Sequence, residues 1–385
     1  MSIDAELHEP VNSERRPRGS QASQPAIDAL LTSLRTALPS IQARAPRYDA
    51  EAAYPAEDVA ALREMGALRA FAEPDVAPLD LMEALRLVGR ANLSVGRIFE
   101  GHVNAAALIR WYGDVRQRRA LDDAVGRGQV FGVWNTEAPP GVRIVDGKRG
   151  KATLVGAKTF ATGAGSIDWA IVTGALPDGG AAMVIADAGV AERADPAAWR
   201  VRGMRATVSG PYDLTGLPAD ASARLGEPGD FAREPRLSAG AWRFAAVQLG
   251  GVERIVGLLR DHLATTAMGG EPVHRARFGE ALAATRSAYL WVREAAVRFA
   301  AAEADDEDIV PFVLMTRGVV ERAGLQAMEA AARSVGTKAF FEDLPLDQAC
   351  RDLALYLRQP APDQAADKAA AAFLTRDRWR GDALW

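Results

Sequence analysis

Two short stretches hold the residues best suited to chemistry. The first is "GAKTFATGAG", Gly156–Gly165, set between "KATLV" and "WAIVTG", two runs of β character. A strand presents alternate residues on one face, so Phe160 and Thr162 are expected to point one way and Ala161 the other. An aromatic beside a hydroxyl either packs beneath a sheet or lines a site, and the two residues alone leave both open. The second stretch is "RIFEGHVNAA". Glu100 and His102 stand two apart on a helix and do not face each other. His102 shares an apolar stripe with Ile98, Ala105 and Ile109, which suits a core histidine; reached by a cavity, its near-neutral pKa would suit a proton shuttle. Glu100 lies off that stripe, as a solvated charge or an ion-pair partner, and both residues are kept as catalytic candidates.

The composition excludes several classes. The chain has 385 residues, 49% hydrophobic and 25% charged, with net charge −4. This is ordinary globular composition, long enough for two or three domains, and too acidic for a dedicated nucleic-acid binder. Cys350 is the single cysteine, so no intramolecular disulfide forms and a reducing compartment fits. Four scattered histidines and that cysteine give no metal-ligand spacing. No Gly-rich phosphate loop follows a first strand, and no Gly-x-Ser-x-Gly elbow is present. The N-terminal stretch lacks a signal-peptide core and no run approaches a membrane span. The expectation is a cytoplasmic protein, not membrane-bound, with a disordered polar tail over 1–25.

These residues must be positioned by helices at both ends and strands between. Ile27, Leu30, Leu31, Leu34 and Leu38 repeat at helical spacing, with Pro39 expected to end that helix. Helical patterns continue to "DVRQRRALDDAVGRG". From Val130 the texture turns to short β runs, "QVFGVWN", "GVRIVDGKRG", "KATLVGAKTF", "DWAIVTGAL" and "AAMVIADA", separated by Asp-Gly and Pro-Asp-Gly-Gly turns. Closely spaced strands without intervening helices indicate an antiparallel sandwich or barrel. Helical period returns beyond "LGEPGDFAREP", in helices that should pack antiparallel. The fold class is therefore α+β: an N-terminal helical domain (26–127), a central β domain (128–232) and a C-terminal helical bundle (233–385).

With this layout, four segments make the chain resemble the acyl-CoA dehydrogenase family. "VFGVWNTEAPPG" is similar to its first flavin strand, Thr136-Glu137 standing for Thr-Glu-Pro. "GAKTFATG" is similar to Gly-x-Lys-x-Trp-Ile-Thr-Asn. "RARFGEALAATR" resembles Arg-x-x-Phe-Gly, and "DLPLDQACRD" the stretch leading into the active-site loop. The resemblance implies a helical domain, a β domain and a four-helix bundle. It implies FAD held by Trp134, Asn135, Thr136, Phe160, Ala161 and Thr162, with Phe160 against the flavin ring and the Thr162 hydroxyl near its N5. It implies Arg275 beside the FAD pyrophosphate of a neighbouring subunit, Phe278 and Arg286 in the same contact, and Gly336 and Gln364 near the cofactor. It further implies a homodimer or homotetramer, a small-molecule substrate, an acyl-CoA in most members, and an electron-transfer flavoprotein or flavin reductase as redox partner.

The chain departs from that pattern where a proton must be taken. Dehydrogenation needs a general base within reach of a weakly acidic C–H. Counting from Arg351, the family's usual glutamate position holds Pro360, and the alternative position on a helix holds Trp242 or its neighbour Arg243. None is a carboxylate, and Trp242 and Arg243 are assigned to the substrate side. Glu100, Glu137 and Asp363 remain as other candidate carboxylates. "APPGV" also lacks the family's phosphate-holding serine. An FAD-dependent oxidoreductase is the first reading. A monooxygenase of the same fold using reduced flavin and oxygen, which needs no such base, and a non-catalytic scaffold stand beside it.

Overall fold

The computed structural model describes residues 24–303 and 306–375; the proposed tail lies almost wholly outside these. The first helix, α1 (Gln24–Glu51), runs straight through Pro39 and Pro46 instead of ending at the first. An interior proline costs a hydrogen bond and a clash. Here Leu34, Ile41 and Tyr48 keep one face buried on both sides of Pro39, and that packing outweighs the local cost. Helices α2 (Ala56–Glu64), α3 (Ala67–Ala70) and α4 (Pro78–Ala91) follow. Asn92 then caps α5 (Leu93–Tyr112), its side chain accepting from the Ser94 and Val95 amides. Asp114 and Gln117 form a reciprocal capping box on α6 (Val115–Gly126).

The β segment builds a six-stranded sheet from β1 (Phe131–Trp134), β2 (Arg143–Asp146), β3 (Ala152–Val155), β5 (Trp169–Ala175), β6 (Ala181–Asp187) and β8 (Arg224–Leu225). A separate pair joins β4 (Ala157–Lys158) to β7 (Tyr212–Asp213). β5 and β6 form the hairpin that Pro-Asp-Gly-Gly signals, in register from Trp169↔Asp187 to Ala175↔Ala181. The sheet is mixed where antiparallel neighbours were expected. β1 runs parallel to β5, pairing Phe131↔Trp169 through Trp134↔Val172, and β2 touches β5 in parallel at Arg143↔Ala175. The long excursion between β1 and β5 supplies the return path that parallel pairing needs. Between β6 and β8 the chain is mostly turns, with only Tyr212–Asp213 as a strand.

The short α7 (Arg236–Ala239) leads on to the long α8 (Trp242–Thr265). Helices α9 (Pro272–Ala301) and α10 (Ile309–Val335) pack on each other and on α8. α11 (Pro345–Tyr356) lies against α8 and α12 (Pro362–Leu374) against α10. α4 also packs tightly on α8, so one apolar core runs from the N-terminal helices through the bundle and onto the sheet. Among the described residues no helix is long and apolar enough to cross a membrane, and no cluster of His, Cys, Asp or Glu could hold a metal.

Candidate functional site

The end of β1 and the Phe160–Thr162 segment meet beside the sheet. Lys158, last residue of β4, is fully buried and donates to the Asn135 carbonyl (3.1 Å), the Thr173 hydroxyl (3.0 Å) and the Glu137 carboxylate. That ties the loop after β1 to the strand carrying "GAKTF". Glu137 is thereby an ion-pair partner. Trp134 is buried against the Tyr212 ring at 5.0 Å, and its indole N–H donates to the Thr162 carbonyl at 3.0 Å.

Phe160 does not lie on a strand. The strand stops at Lys158, and Phe160 adopts φ +54°, the left-handed region rarely used by bulky residues. Phe160 is therefore 52% exposed, with its ring edge-on to Trp199 at 5.8 Å, while Ala161 is buried. Alternation along a strand is thus not what separates the three side chains; a turn is, closed by the Thr162 amide on the Phe160 carbonyl at 3.0 Å. Thr162 is 9% exposed and joins a hydroxyl chain: Ser209 lies 3.2 Å from its Oγ1 and 2.8 Å from Thr207, which donates to the Met204 carbonyl. Each hydroxyl has one proton. Ser209 gives its own along the shorter link to Thr207, and the Thr162 proton is left for Ser209 or for an incoming acceptor. Asn135 and Thr136 are exposed, and the Thr136 carbonyl accepts from the Thr159 amide at 2.9 Å. β1 is hydrogen-bonded within the sheet to β5 alone.

Behind β1, α5 presents His102 and Glu100. His102 is fully buried, its Nε2 2.9 Å from the Leu68 carbonyl and its Nδ1 accepting from the Phe131 amide at 3.1 Å. Two backbone groups thus hold the neutral Nε2–H tautomer, and burial pushes the imidazole pKa down to about 4. It is a core histidine. Protonation would set a new Nδ1–H against the Phe131 N–H. A depressed histidine pKa stabilises the fold fully above the ordinary value of about 6.5 and loses that contribution as pH falls toward 4, by about 1.4 kcal/mol per unit. Denaturant titrations of His102→Gln and of the natural chain at pH 7 and pH 5 are expected to show the wild-type advantage shrinking at pH 5. An unchanged advantage would contradict it.

Glu100 is buried as well, not solvated. Arg97 and the Asn104 amide donate to its two oxygens, pairs at i,i+3 and i,i+4 that helical spacing makes readable in the sequence. Asn104 in turn accepts from Arg243 at 3.3 Å. Arg243 and Trp242 open α8 and, with Phe71, Val103, Trp111 and Phe299, line a cavity of about 590 Å³ between α4, α5, α8 and α9. The sequence reading missed Trp111, Phe299, Lys158 and Ser209, which join the site only through contacts across the chain, and also Arg97 and Asn104, whose pairing with Glu100 the helical spacing does signal.

The bundle residues fall elsewhere. Arg275 is exposed at the start of α9 and donates to the Gly269 and Gly270 carbonyls. Phe278 and Arg286 line a surface groove with Arg86 and Tyr289, Arg286 lying over the Tyr289 ring at 4.8 Å. Gly336 ends α10 at φ +74°, and Gln364 is exposed in the first turn of α12. Asp363 is exposed beside it, and the Pro360 carbonyl accepts from Arg317. None of these makes a recorded hydrogen bond or ring contact with β1 or the Phe160–Thr162 turn. Arg351 and Asp352 form a clamp: Arg351 pairs with Asp49 and Asp347, and Asp352 accepts from the Met204 amide.

No protein-family model and no curated protein matches the chain. Solved structures do. The chain is similar to the dibenzothiophene monooxygenase TdsC from Paenibacillus sp. A11-2, at 18% identity over 90% of this chain and 97% of that one, TM-score 0.79. It is similar to butyryl-CoA dehydrogenase from Megasphaera elsdenii, at 16% identity over 91% and 98%, TM-score 0.78. This is the acyl-CoA dehydrogenase-type fold. Methanesulfinate monooxygenase MsuC from Pseudomonas fluorescens shares it at 16% identity over 91% and 96%, TM-score 0.75. One TdsC structure is FMN-bound. The fold thus carries both dehydrogenase and monooxygenase members.

Proposed function

We propose that the protein is a flavin-dependent monooxygenase acting on a small organic molecule with reduced FMN and oxygen, a flavin reductase supplying the reduced cofactor. One observation carries the reading: among the described residues, each carboxylate of the cavity wall is either already engaged by a partner or exposed at its rim. Glu73 pairs with Arg110, Glu234 is held by Ser238, and Glu303 is exposed at the end of α9. Glu100 and Glu137 are engaged by Arg97 and Lys158. Dehydrogenation needs a general base, whereas oxygen transfer does not. TdsC and MsuC, monooxygenases by name, support the same choice.

The residues present fit a flat flavin ring. β1 has its outer edge outside the sheet, an exposed aromatic stands next to it, and the Thr162 hydroxyl keeps a proton to donate. In this reading Trp134–Thr136 and Phe160–Thr162 hold the ring. FMN takes the place of FAD in the proposal because Arg275, the residue expected at a pyrophosphate, already caps its own preceding turn. When bound, reduced flavin supplies the two electrons that send one oxygen atom to substrate and the other to water. The chain itself binds and orients the substrate and shields the site. The three segments 26–127, 128–232 and 233–385 act as domains in this proposal, and the setting is cytoplasmic. Exposed Leu282 and Leu290 beside Phe278 and Arg286 on α9 form the face through which copies associate as a dimer or tetramer.

The test is made with purified protein, FMN, a flavin reductase and NADH. Oxygen-dependent product formation is expected, with no bleaching of bound flavin by acyl-CoAs under anaerobic conditions; bleaching would overturn the reading in favour of dehydrogenation. Thr162→Val removes one hydroxyl at constant shape. The variant is expected to lose no more than about 1 kcal/mol of stability while shifting the visible spectrum of bound FMN and its rate of reoxidation. Identical spectra and rates would remove Thr162 from the site.

A further inference from the structure

The large cavity contains a cation whose needs the protein does not meet. Arg243 is 6% exposed, yet its one recorded hydrogen bond is the 3.3 Å contact to Asn104. Its Nε is buried with no partner. A guanidinium offers five N–H donors in a planar fork, so most of this one's capacity is unused. Its other neighbours are ring faces: Phe299 at 5.0 Å, Trp242 at 5.4 Å and Trp111 at 5.5 Å. Glu100, whose charge opposes the effect of burial on Arg243, has both oxygens committed to Arg97 and Asn104. Arg236 stands over Trp111 as well, at 5.2 Å, and over Tyr112 at 5.1 Å, and adds a further cation to the cavity wall.

Burying a charge without a counter-ion costs several kcal/mol, and burial lowers the Arg243 pKa to about 10, which leaves it charged at neutral pH. Aromatic faces recover part of that cost, but they cannot use the in-plane N–H groups. Those groups match the two oxygens of a carboxylate or other oxyanion. Phe71, Val76, Leu81 and Val103 give the wall an apolar side, while the charged residues Glu73, Arg110, Arg233, Glu234 and Glu303 line the rest. A volume of about 590 Å³ falls within the range for small-molecule sites.

We infer that this cavity takes an organic oxyanion: an apolar, preferably planar body against Trp111 and Phe299, with its anionic oxygens on the Arg243 fork. The inference rests on the reading that the cavity receives the substrate, and it adds the class of that substrate. Trp242 and Asn104 act as positioning residues for the guanidinium. A neutral molecule of equal shape leaves the fork unpaired and binds more weakly.

Matched pairs test this by calorimetry on the full chain: benzoate against benzamide, 2-naphthoate against 2-naphthamide, hexanoate against hexanamide. No flavin is needed, so failure of the monooxygenase reading would be seen separately, as absent FMN binding or turnover. At least one pair is expected to show the anion binding tenfold or more tighter than the amide. Arg243→Gln is expected to level that pair while the protein still unfolds cooperatively. If Arg243→Gln does not fold, Arg243→Lys, which keeps charge without the fork, is expected to retain a preference several-fold smaller. Equal binding within every pair, no binding by any anion, or a preference undiminished in the variants would overturn the inference.

Discussion

Glu137→Ala is expected to cost about 3 kcal/mol of stability, the lower end for breaking a buried ion pair by removing one partner. The residue removed is itself partly exposed, at 35%, but the residue left behind is not: Lys158 has no accessible side-chain surface. Its ammonium would keep the Asn135 carbonyl and the Thr173 hydroxyl without a counter-charge. Burial already holds the Lys158 pKa below the ordinary lysine value, with Glu137 opposing the shift. Loss of Glu137 lowers it further. A depressed lysine pKa penalises the fold at every pH below that value and relents as pH rises toward the unfolded value of about 10.4. The variant should therefore regain stability between pH 7 and pH 10 relative to wild type, measured by urea midpoints. Glu137→Gln, which keeps an acceptor, should fall between the two. A wild-type melting temperature in Glu137→Ala, with turnover abolished, would instead make Glu137 the catalytic base and undo its structural role.

Gly250→Ala is the second large effect. A Cβ there would sit 2.2 Å from the Arg86 carbonyl oxygen and 2.5 Å from the Arg90 nitrogen, all backbone of α4. The reciprocal residue on α4, Gly89, would meet the Val247 carbonyl at 2.3 Å. The two helices cross at these glycines, and no side-chain rotation relieves the contact. Forcing α4 and α8 apart is expected to cost about 3 kcal/mol or more, overriding the roughly 1 kcal/mol that alanine gains over glycine in a helix. Gly257, about two turns further along α8, has nothing within 4 Å of its would-be Cβ. Gly257→Ala should show that gain alone. Equal melting temperatures for the two variants would refute the close crossing.

Local pattern was enough for the order of elements. Apolar spacing at 3.6 residues marked the helices, and the Pro-Asp-Gly-Gly turn marked the β5–β6 hairpin. Rules of local pattern failed where distant packing overrode them: α1 passes Pro39 because Leu34 and Ile41 are buried on either side of it. Phe160 and Thr162 were placed together for a reason that does not hold. A left-handed turn, and no strand, sets their directions, and a residue's φ is not written in its type. That Pro360 and Trp242 stand where a carboxylate would be expected follows from counting along the motifs of the family the chain resembles.

What the sequence by itself determined is the succession of helix, sheet and helix; the lack of a carboxylate at a dehydrogenase's base positions is what its family resemblance implies. Only the tertiary structure decided how the charges are used. Glu100 and Glu137 are carboxylates in any reading of the chain, but Arg97, Asn104 and Lys158 engage them as ion-pair and hydrogen-bond partners. Arg243 differs because the fold surrounds it with rings and leaves its fork unmatched. Periodicity reports which way a side chain faces along its own element. Glu100 finds its opposite charge within one turn of its own helix, but for Glu137 and Arg243 the presence of a partner depends on elements far away in sequence, and that pairing separates a structural charge from one free to act.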